Sequence, residues 1–292
     1  MKVKDIKDVL TFAAFRPEPD DSSATWLRRF PNKKTLVLNI GKNNTSWHAL
    51  GKGGVILDGG VHQGDFKDIA STFASEWRKY TENGWCNISI NNRYVISLEN
   101  NLPRKEGVEN IMRVNPRSVL GSKYERTKRY ALTSNPEHET SIVLSCDDES
   151  IKKVESILSE TSLHAGRICC GTYTMLRRLI EHANAGGKPG AVSQNYLFVV
   201  CCEGSVCVLT QVGDKWSDLR SRTDFYEEDT SPVLDMVAPL IRENEQQSME
   251  ILFVSDKEGS DLPLKLTTRL ENVKVTDLTQ PNHLVGLLAD LR

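Results

Sequence analysis

The sequence has no long apolar run, no excess of either charge and no paired cysteine motif of the kind that binds zinc. The longest uncharged apolar run, Tyr196 to Cys202, is far shorter than the ~20 residues that a membrane-spanning helix needs. Lysine and arginine number 37 against 39 aspartate and glutamate residues, and the densest basic stretch, Lys123 to Arg129, also contains Glu125. We therefore predict a solvated helix face or loop there and no binding of nucleic acid. The absence of Cys-x-x-Cys argues against structural zinc.

The signatures of the common nucleotide-binding loops and of the hydrolase nucleophile are also missing. Gly-x-x-x-x-Gly-Lys-Ser/Thr, Gly-x-Gly-x-x-Gly and Gly-x-Ser-x-Gly do not occur. Two glycine clusters, Gly51 to Gly54 and Gly59-Gly60, have the small residues that let a backbone approach a phosphate. Hairpin turns explain both clusters better.

Seven cysteines are present, an odd number, and two pairs are adjacent in sequence, Cys169-Cys170 and Cys201-Cys202. Neighbouring side chains of a strand point to opposite faces, so these pairs are unsuited to disulfide bonds with each other. We interpret the thiols as small buried hydrophobes of a reducing compartment. The N-terminal residues mix aspartate with lysine and lack the pattern of a signal peptide. We therefore expect a cytoplasmic protein.

One group of histidines and aspartates suggests a metal or acid–base site. His48 and His62 lie close in sequence to Asp58 and Asp65. Asp58 also fits a glycine turn and Asp65 fits the N-cap of a helix, and we prefer this structural interpretation.

The length and composition favour two lobes. The chain has 292 residues, of which 39% are hydrophobic, enough for a sizeable core. Residues 1–30 are predicted to be a flexible N-terminal arm, because Arg16 to Ala24 is rich in proline, aspartate and serine. The strongest break, Asn184 to Gly190, divides a first lobe of residues 31–187, with an inserted α/β subdomain, from a second lobe of residues 188–292.

The same strand pattern occurs twice. An apolar strand, a turn with glycine and a return strand are predicted from Leu36 to Leu50 and again from Leu197 to Gln211, and each copy continues through a second turn into a third strand. Such short turns favour antiparallel meanders. A helix is predicted after each copy, from Asp65 to Tyr80 and from Pro232 to Glu245. The sequence therefore predicts an α/β fold with a duplicated three-strand meander plus helices.

This arrangement resembles the actin-like ATPase superfamily, whose RNase H-like fold has two lobes that face each other across a nucleotide cleft. Within it, the chain is similar to the pilus-assembly PilM proteins and to the cytoplasmic domain of the type II secretion GspL proteins. Three segments carry the likeness: the opening meander, the strand–helix–strand–helix block from Ser141 to Ile180, and the terminal segment from Pro281 to Arg292. Together they extend the resemblance over roughly residues 35–292.

In active relatives the first turn of each lobe reads Asp-x-Gly, where the glycine lets backbone amides reach phosphate and the carboxylate holds the metal shell. Here the two turns read Asn39-Ile40-Gly41 and Cys202-Glu203-Gly204, and the adenosine segment, Phe253 to Gly259, keeps one glycine. An amide and a thiol are poor partners for hydrated Mg²⁺. The resemblance therefore implies a degenerate nucleotide cleft at Asn39, Gly41, Cys202, Glu203 and Gly204. We expect no catalytic residue, metal or cofactor, with weak ATP binding left open.

The resemblance implies a scaffold component of a type IV pilus or type II secretion assembly platform. PilM-like proteins bind an extended peptide in a groove of the first lobe. The implied partner is thus the cytoplasmic tail of a platform protein, which would hold this chain at the inner membrane, and self-association is left open. One alternative is an active actin-like ATPase or sugar-kinase relative in which Glu203 replaces the missing carboxylates. Another is an unrelated thiol enzyme in which Cys170, at a helix start, uses His164 or His182 as its base.

Overall fold

A computed structural model describes most of the chain between Thr35 and Asp290. The described residues are 35–51, 54–81, 84–103, 107–134, 140–185, 195–213, 215–225, 229–243, 248–270 and 273–290. The predicted arm, residues 1–30, lies outside them, and so does residue 187, where we divide the lobes. The arm and the domain division therefore stay predictions.

Two sheets of five strands each, and one of three strands, form the β-structure of the described residues. The first sheet has the order β3 (Ile56–Gln63), β2 (Asn44–Leu50), β1 (Thr35–Ile40), β4 (Trp85–Ile90) and β8 (His164–Cys170). β1 pairs antiparallel with β2 and parallel with β4. The sequence of β1 is a nearly continuous apolar run, because β1 is the central strand and both of its faces are covered.

The second sheet repeats this order. Its strands are β11 (Lys215–Thr223), β10 (Ser205–Val212), β9 (Asn195–Cys202), β12 (Met249–Ser255) and β13 (Lys274–Asp277). Again the first strand of the meander is central and antiparallel to the second, and it is parallel to the strand that follows the helix. The predicted duplication of a three-strand meander is confirmed.

A helix follows each meander and covers its sheet. In the first copy α1 (Phe66–Trp77) buries residues at helical spacing, among them Ile69, Ala70 and Ala74. Asp65 is its N-cap, and its carboxylate accepts a hydrogen bond from the Lys67 N–H at 2.9 Å, as the sequence predicts. The counterpart in the second copy is α6 (Ser231–Glu243).

An inserted subdomain separates β4 from β8. It contains the three-stranded sheet of β5 (Val95–Pro103), β7 (Thr140–Asp147) and β6 (Lys128–Ser134), and the helices α2 (Val108–Val114), α3 (Pro116–Leu120) and α4 (Asp148–Glu160). The prediction of a helix face or loop up to Arg129 is wrong at its end, because β6 begins at Lys128. The Arg129 guanidinium binds Asp148 and Glu155, and Ala131 and Leu132 of the same strand are buried.

The last helices of the two units are exchanged. α5 (Gly171–Ala185) packs on β9 of the second sheet, whereas α8 (His283–Asp290) packs on β1 and β4 of the first; α7 (Leu262–Arg269) covers β13. α5 begins between the two sheets, where a Cβ on Gly171 would lie 2.8 Å from Ser89 Oγ and 3.1 Å from Cys202 Sγ. One apolar core therefore runs through both units.

None of the helices in the described part of the chain has both the length and the apolar character to cross a membrane.

Candidate functional site

The two predicted phosphate turns close the first hairpin of each meander. In the first, the Gly41 N–H donates to the Asn44 carbonyl at 2.9 Å, and a Cβ on Gly41 would lie 2.0 Å from Asn44 Oδ1. In the second, Glu203 and Gly204 both have left-handed backbones, with φ of +54° and +71°. Two such residues in succession form the tight type I′ turn that matches the twist of a hairpin.

These turns face each other across a cleft between the two sheets. Asn39, Gly41, Glu203 and Gly204 line it together, and its volume is about 380 Å³. Lys42 Nζ lies 2.8 Å from Asp224 Oδ1 and thus joins the first turn to the end of β11. Both side chains are more than half exposed, so this ion pair adds little stability.

Cys202, the fifth predicted cleft residue, lies elsewhere. Its side chain is buried in the core with Phe198 and Val200, because alternate residues of β9 point to the same face. Among the described residues that line the cleft, the strand end contributes Glu203 and Gly204 and not Cys202. The prediction that Cys202 occupies the position of a cleft carboxylate is therefore corrected.

The Glu203 carboxyl is buried at the floor of the cleft. Its Oε1 accepts a hydrogen bond from Ser89 Oγ at 3.3 Å, and its Oε2 is buried with no hydrogen-bond partner among the described residues. Burial, with a smaller contribution from the charge of Asp256, raises the pKa of Glu203 well above its ordinary value. The main chain of the same residue accepts from Asn91 Nδ2 at 2.8 Å, which joins the two units.

Asp256 also lines the cleft, although the sequence distinguishes it from the rest of the segment Phe253 to Gly259 by no motif. Its Oδ2 accepts the Glu203 N–H at 2.8 Å, and its own N–H donates to the Cys201 carbonyl at 3.1 Å. Asp256 and Lys257 both line the cleft. No local sequence signal marks this position: β12 lies parallel to β9, and it is this pairing that brings the residues after β12 to the edge where Glu203 turns.

A second and larger cavity lies on the other side of the first turn. This groove, of about 650 Å³, runs between the ends of β1 and β4, the start of α1 and the first turns of α4. Its apolar lining includes Ile40, Phe66, Ile90, Tyr94, Ile151 and Ile157. Charged residues of both signs surround the apolar lining: Lys42, Arg93, Lys152 and Lys153, with Asp65, Asp148 and Glu149.

The two glycine clusters differ from each other. Gly51 and Gly54 belong to a turn, in which the Gly54 N–H donates to the Gly51 carbonyl at 3.1 Å, as predicted. Gly59 and Gly60 instead lie inside β3, so their prediction as a turn is wrong. They are small because Trp47 lies beside them: a Cβ on Gly59 would be 2.9 Å from the Trp47 carbonyl oxygen.

His62, Asp58 and Asp65 of the histidine–aspartate group have structural roles. His62 stacks on Phe73 and its Nε2 accepts a hydrogen bond from Trp47 Nε1 at 3.1 Å. Asp58 accepts hydrogen bonds from the Tyr80 hydroxyl and the Gly59 N–H, although it lies in β3 and not in the predicted turn. Within the described ranges no three His, Cys, Asp or Glu residues come together as a metal site.

Comparison with known proteins finds similar structures but no similar sequences. No protein-family model and no curated protein matches the sequence. A Bacteroides thetaiotaomicron protein with an actin-like ATPase fold and unknown function is 10% identical, with a TM-score of 0.53 over 88% of this chain and 96% of that one. The PilM–PilN type IV pilus biogenesis complex is 14% identical, with a TM-score of 0.55 over 88% and 98%. The cytoplasmic domain of EpsL, an inner membrane component of the Vibrio cholerae type II secretion system, is 11% identical, with a TM-score of 0.50 over 88% and 93%.

The chain has the actin-like ATPase fold. Such low identities establish the fold alone, so the chemistry must be taken from the residues in the cleft. The actin-like cleft here presents an amide at Asn39, a buried carboxyl at Glu203 and the Asp256 carboxylate that holds the second turn. This set does not reproduce the two Asp-x-Gly carboxylates to which Mg²⁺ binds in active relatives.

Cys170, the candidate nucleophile, lies deep in this actin-like core. Its side chain is fully buried at the end of β8, and burial raises the pKa of its thiol well above the ordinary value. A nucleophilic cysteine needs an accessible thiolate with a lowered pKa. All seven cysteines are buried and outside disulfide bonds, which agrees with their interpretation as small hydrophobes.

Proposed function

We propose that this actin-like chain is a cytoplasmic scaffold in a type IV pilus or type II secretion assembly platform. In this proposal it binds the cytoplasmic tail of a membrane protein in the groove beside the first turn, and the partner holds it at the inner membrane. The groove is the observation that supports this proposal. Its volume of about 650 Å³ lies within the range of sites that enclose most of a ligand.

The groove has the chemistry of a peptide site. An apolar lining with a charged border buries alternate side chains of an extended segment and leaves its polar groups at the edge. Tyr94 is half-buried and is the aromatic residue best suited to anchor such a segment. The similarity to solved PilM–PilN and EpsL structures supports the same class of role.

The cleft residues support a role without ATP hydrolysis. Asn39 is neutral, and the raised pKa of Glu203 favours its neutral form as well. Hydrolysis needs the metal to neutralise the charge of the terminal phosphate, so the missing carboxylates remove a large part of the rate.

The test replaces Tyr94 with a photo-cross-linking amino acid in the full chain and irradiates native cells. Tyr124, an aromatic residue of the inserted subdomain outside the groove, is the matched control position. We expect adducts from position 94 alone, with the cytoplasmic segment of a membrane-anchored protein. A synthetic peptide of that segment should bind the purified chain, and Tyr94→Ala should weaken binding about ten-fold or more while Tyr124→Ala does not. Adducts with extracytoplasmic segments, or equal affinities for both variants, would contradict the proposal.

A nucleotide-dependent enzyme is the second candidate function. It is favoured by the two carboxyls of Glu203 and Asp256 on one cleft floor, together with the cationic side chains of Lys42 and Lys257. Phosphate release from Mg-ATP decides between the candidates. We expect none; turnover near ~1 s⁻¹, an ordinary enzyme rate, that disappears in Glu203→Gln would establish the enzyme instead.

A further inference from the structure

Two buried oxygen atoms at the floor of the cleft have no hydrogen-bond partner among the described residues: Glu203 Oε2 and Asn39 Oδ1. They belong to different units, since Asn39 lies in β1 and Glu203 in the turn that follows β9. Buried acceptors without a donor are rare in folded proteins, because nothing compensates their loss of water. The junction of the two units therefore lacks a donor at this place.

The pairing of β1 with β4 brings the two side chains to one place. Asn39 lies beside Ser89 in the parallel register, so both side chains point to the same face of the sheet. Ser89 Oγ in turn donates to Glu203 Oε1 at 3.3 Å, and Asn39 and Glu203 both line the cleft. The Glu203 carboxyl therefore faces the neighbouring positions 39 and 89, and Ser89 occupies one of its two oxygens.

The main chain holds Glu203 in a conformation that is unfavourable for its residue type. Its φ of +54° is left-handed, at a turn position where glycine and asparagine are the usual residues. The Glu203 N–H donates to Asp256 Oδ2 and the Glu203 carbonyl accepts from Asn91 Nδ2, each at 2.8 Å. A glutamate that is strained, and whose carboxyl is buried, indicates a role for that carboxyl at the junction.

We propose that the Glu203 carboxyl is protonated and donates from Oε2 to Asn39 Oδ1, so that a pH-sensitive hydrogen bond joins the two units. A proton turns Oε2 from an acceptor into a donor, and this one change gives both unpaired oxygens a partner. The position of Asp256 favours the proton, because an ionised Glu203 would place a second negative charge beside it. Burial and the charge of Asp256 both raise the pKa of Glu203.

The other titratable groups near Glu203 do not supply the missing donor. Three buried thiols lie around it, those of Cys169, Cys170 and Cys202, and burial keeps them neutral by raising their pKa values. Four charged side chains line the same cleft: Lys42, Arg93, Asp224 and Lys257. Lys42 is paired with Asp224 at 2.8 Å, and none of the four donates to Glu203 Oε2.

The hydrogen bond exists while the carboxyl keeps its proton. The pKa of Glu203 in the folded chain lies above the ordinary value of 4.5, so the bond is present below the folded-state pKa and is lost as pH rises through it. The ionised carboxyl has no proton for Asn39 and is repelled by Asp256. The exchanged helices α5 and α8 still hold the two units together, so we expect a local opening of the turn at Glu203 and Gly204.

The first experiment follows the side-chain carbons of Glu203 and Asn39 by NMR in the full chain between pH ~4 and ~9. The two should titrate together, with a pKa above the ordinary value of glutamate. Asn39→Leu keeps the volume but removes the acceptor, and should lower that pKa, because a bond to the neutral carboxyl is lost. Ser89→Ala removes a donor and should raise it. Ser46→Ala, beside Asn39 on β2 and also in the cleft wall, is the matched control and should leave it unchanged.

The second experiment measures hydrogen exchange of the Glu203 amide in the unmodified chain and in Glu203→Gln. The ratio of the two rates at one pH cancels the intrinsic effect of pH on exchange. Glutamine keeps a donor for Asn39 at every pH. The two rates should be similar at pH ~4.5, and the unmodified chain should exchange about ten-fold faster at pH ~9, where it has lost one hydrogen bond.

Three results would overturn the proposal. One is an Asn39 side-chain carbon that does not titrate with Glu203 in the unmodified chain, a measurement that needs no variant to fold. Another is a Glu203 pKa that Asn39→Leu raises or leaves unchanged, because the amide would then donate to the ionised carboxylate or lie out of contact. The third is equal exchange of the two chains at pH ~9, which would show that the proton does not hold the turn.

Discussion

Replacement of Glu203 by glutamine tests the electrostatics of the cleft most directly. The carboxyl has one hydrogen bond, from Ser89, and its buried Oε2 has no partner among the described residues. Glutamine keeps the shape and the acceptor for Ser89 but removes the ionisable group. Since Asp256 lies close by, ionisation of Glu203 places a second negative charge in a poorly solvated site.

The sign of the effect follows from proton linkage. The folded-state pKa of Glu203 is raised above the ordinary value of 4.5, so the folded state holds the proton more tightly than the unfolded state. The stability from the protonated carboxyl is fully present below pH 4.5 and is lost as pH rises toward the folded-state pKa. At pH ~8 we expect Glu203→Gln to be about 1–3 kcal/mol more stable than the unmodified chain, the usual cost of a buried polar group without its partners.

Thermal unfolding at pH ~4.5 and ~8 measures this difference. The two proteins should melt together at the lower pH, and the variant should melt about 2–8 °C higher at the upper pH. Glu258→Gln, at an exposed position after the neighbouring strand β12, is the matched control. A Glu203→Gln chain that is less stable at pH ~8 would refute the reasoning, because it would show that the ionised carboxylate has a favourable partner.

Three further predictions concern neighbouring positions. Gly171→Ala should lower the free energy of unfolding by about 1–3 kcal/mol in denaturant titrations, because its Cβ would press on Ser89 Oγ and Cys202 Sγ. Asp65→Ala removes the N-cap of α1 and should cost about 1 kcal/mol, measured in the same way. Cys202→Asp should destabilise the fold by several kcal/mol without raising ATP affinity in calorimetry, because the position is in the core; improved ATP binding would mean that the side chain reaches the cleft.

The fold was predictable because it rests on local patterns that are repeated. Turns with glycine between apolar runs indicate a meander wherever they occur, and two copies each followed by a helix restrict the topology to few solutions. The N-cap role of Asp65 was predictable for a similar reason, since one acidic residue before an amphipathic run is a local signal for the start of a helix. Gly41 and Glu203 were predicted to meet because equivalent turns of two duplicated units lie at equivalent sheet edges.

The predictions failed at positions whose structure depends on contacts with residues that are distant in the sequence. β6 contains Lys128 and Arg129, whose charges are matched by Glu125 just before the strand and by Asp148 and Glu155 of α4. The position of Cys202 depends on which face of β9 the helix α5 covers, and that contact connects distant parts of the sequence. Asp256 reaches the cleft through the parallel pairing of β12 with β9, which no short window of sequence reveals.

The contacts between the two units are compatible with the scaffold function that we propose. A ligand can shift the arrangement of two lobes only by the difference in its affinity for their open and closed states. Here protein groups already join them: Asn91 Nδ2 donates to the Glu203 carbonyl at 2.8 Å and Asn87 Nδ2 to the Leu288 carbonyl at 3.0 Å. The exchanged helices α5 and α8 extend one apolar core through the junction, so closure is held by packing. In the proposed function, a groove packed in this way is preorganised, so that little of the binding free energy of a partner segment is spent on ordering the protein.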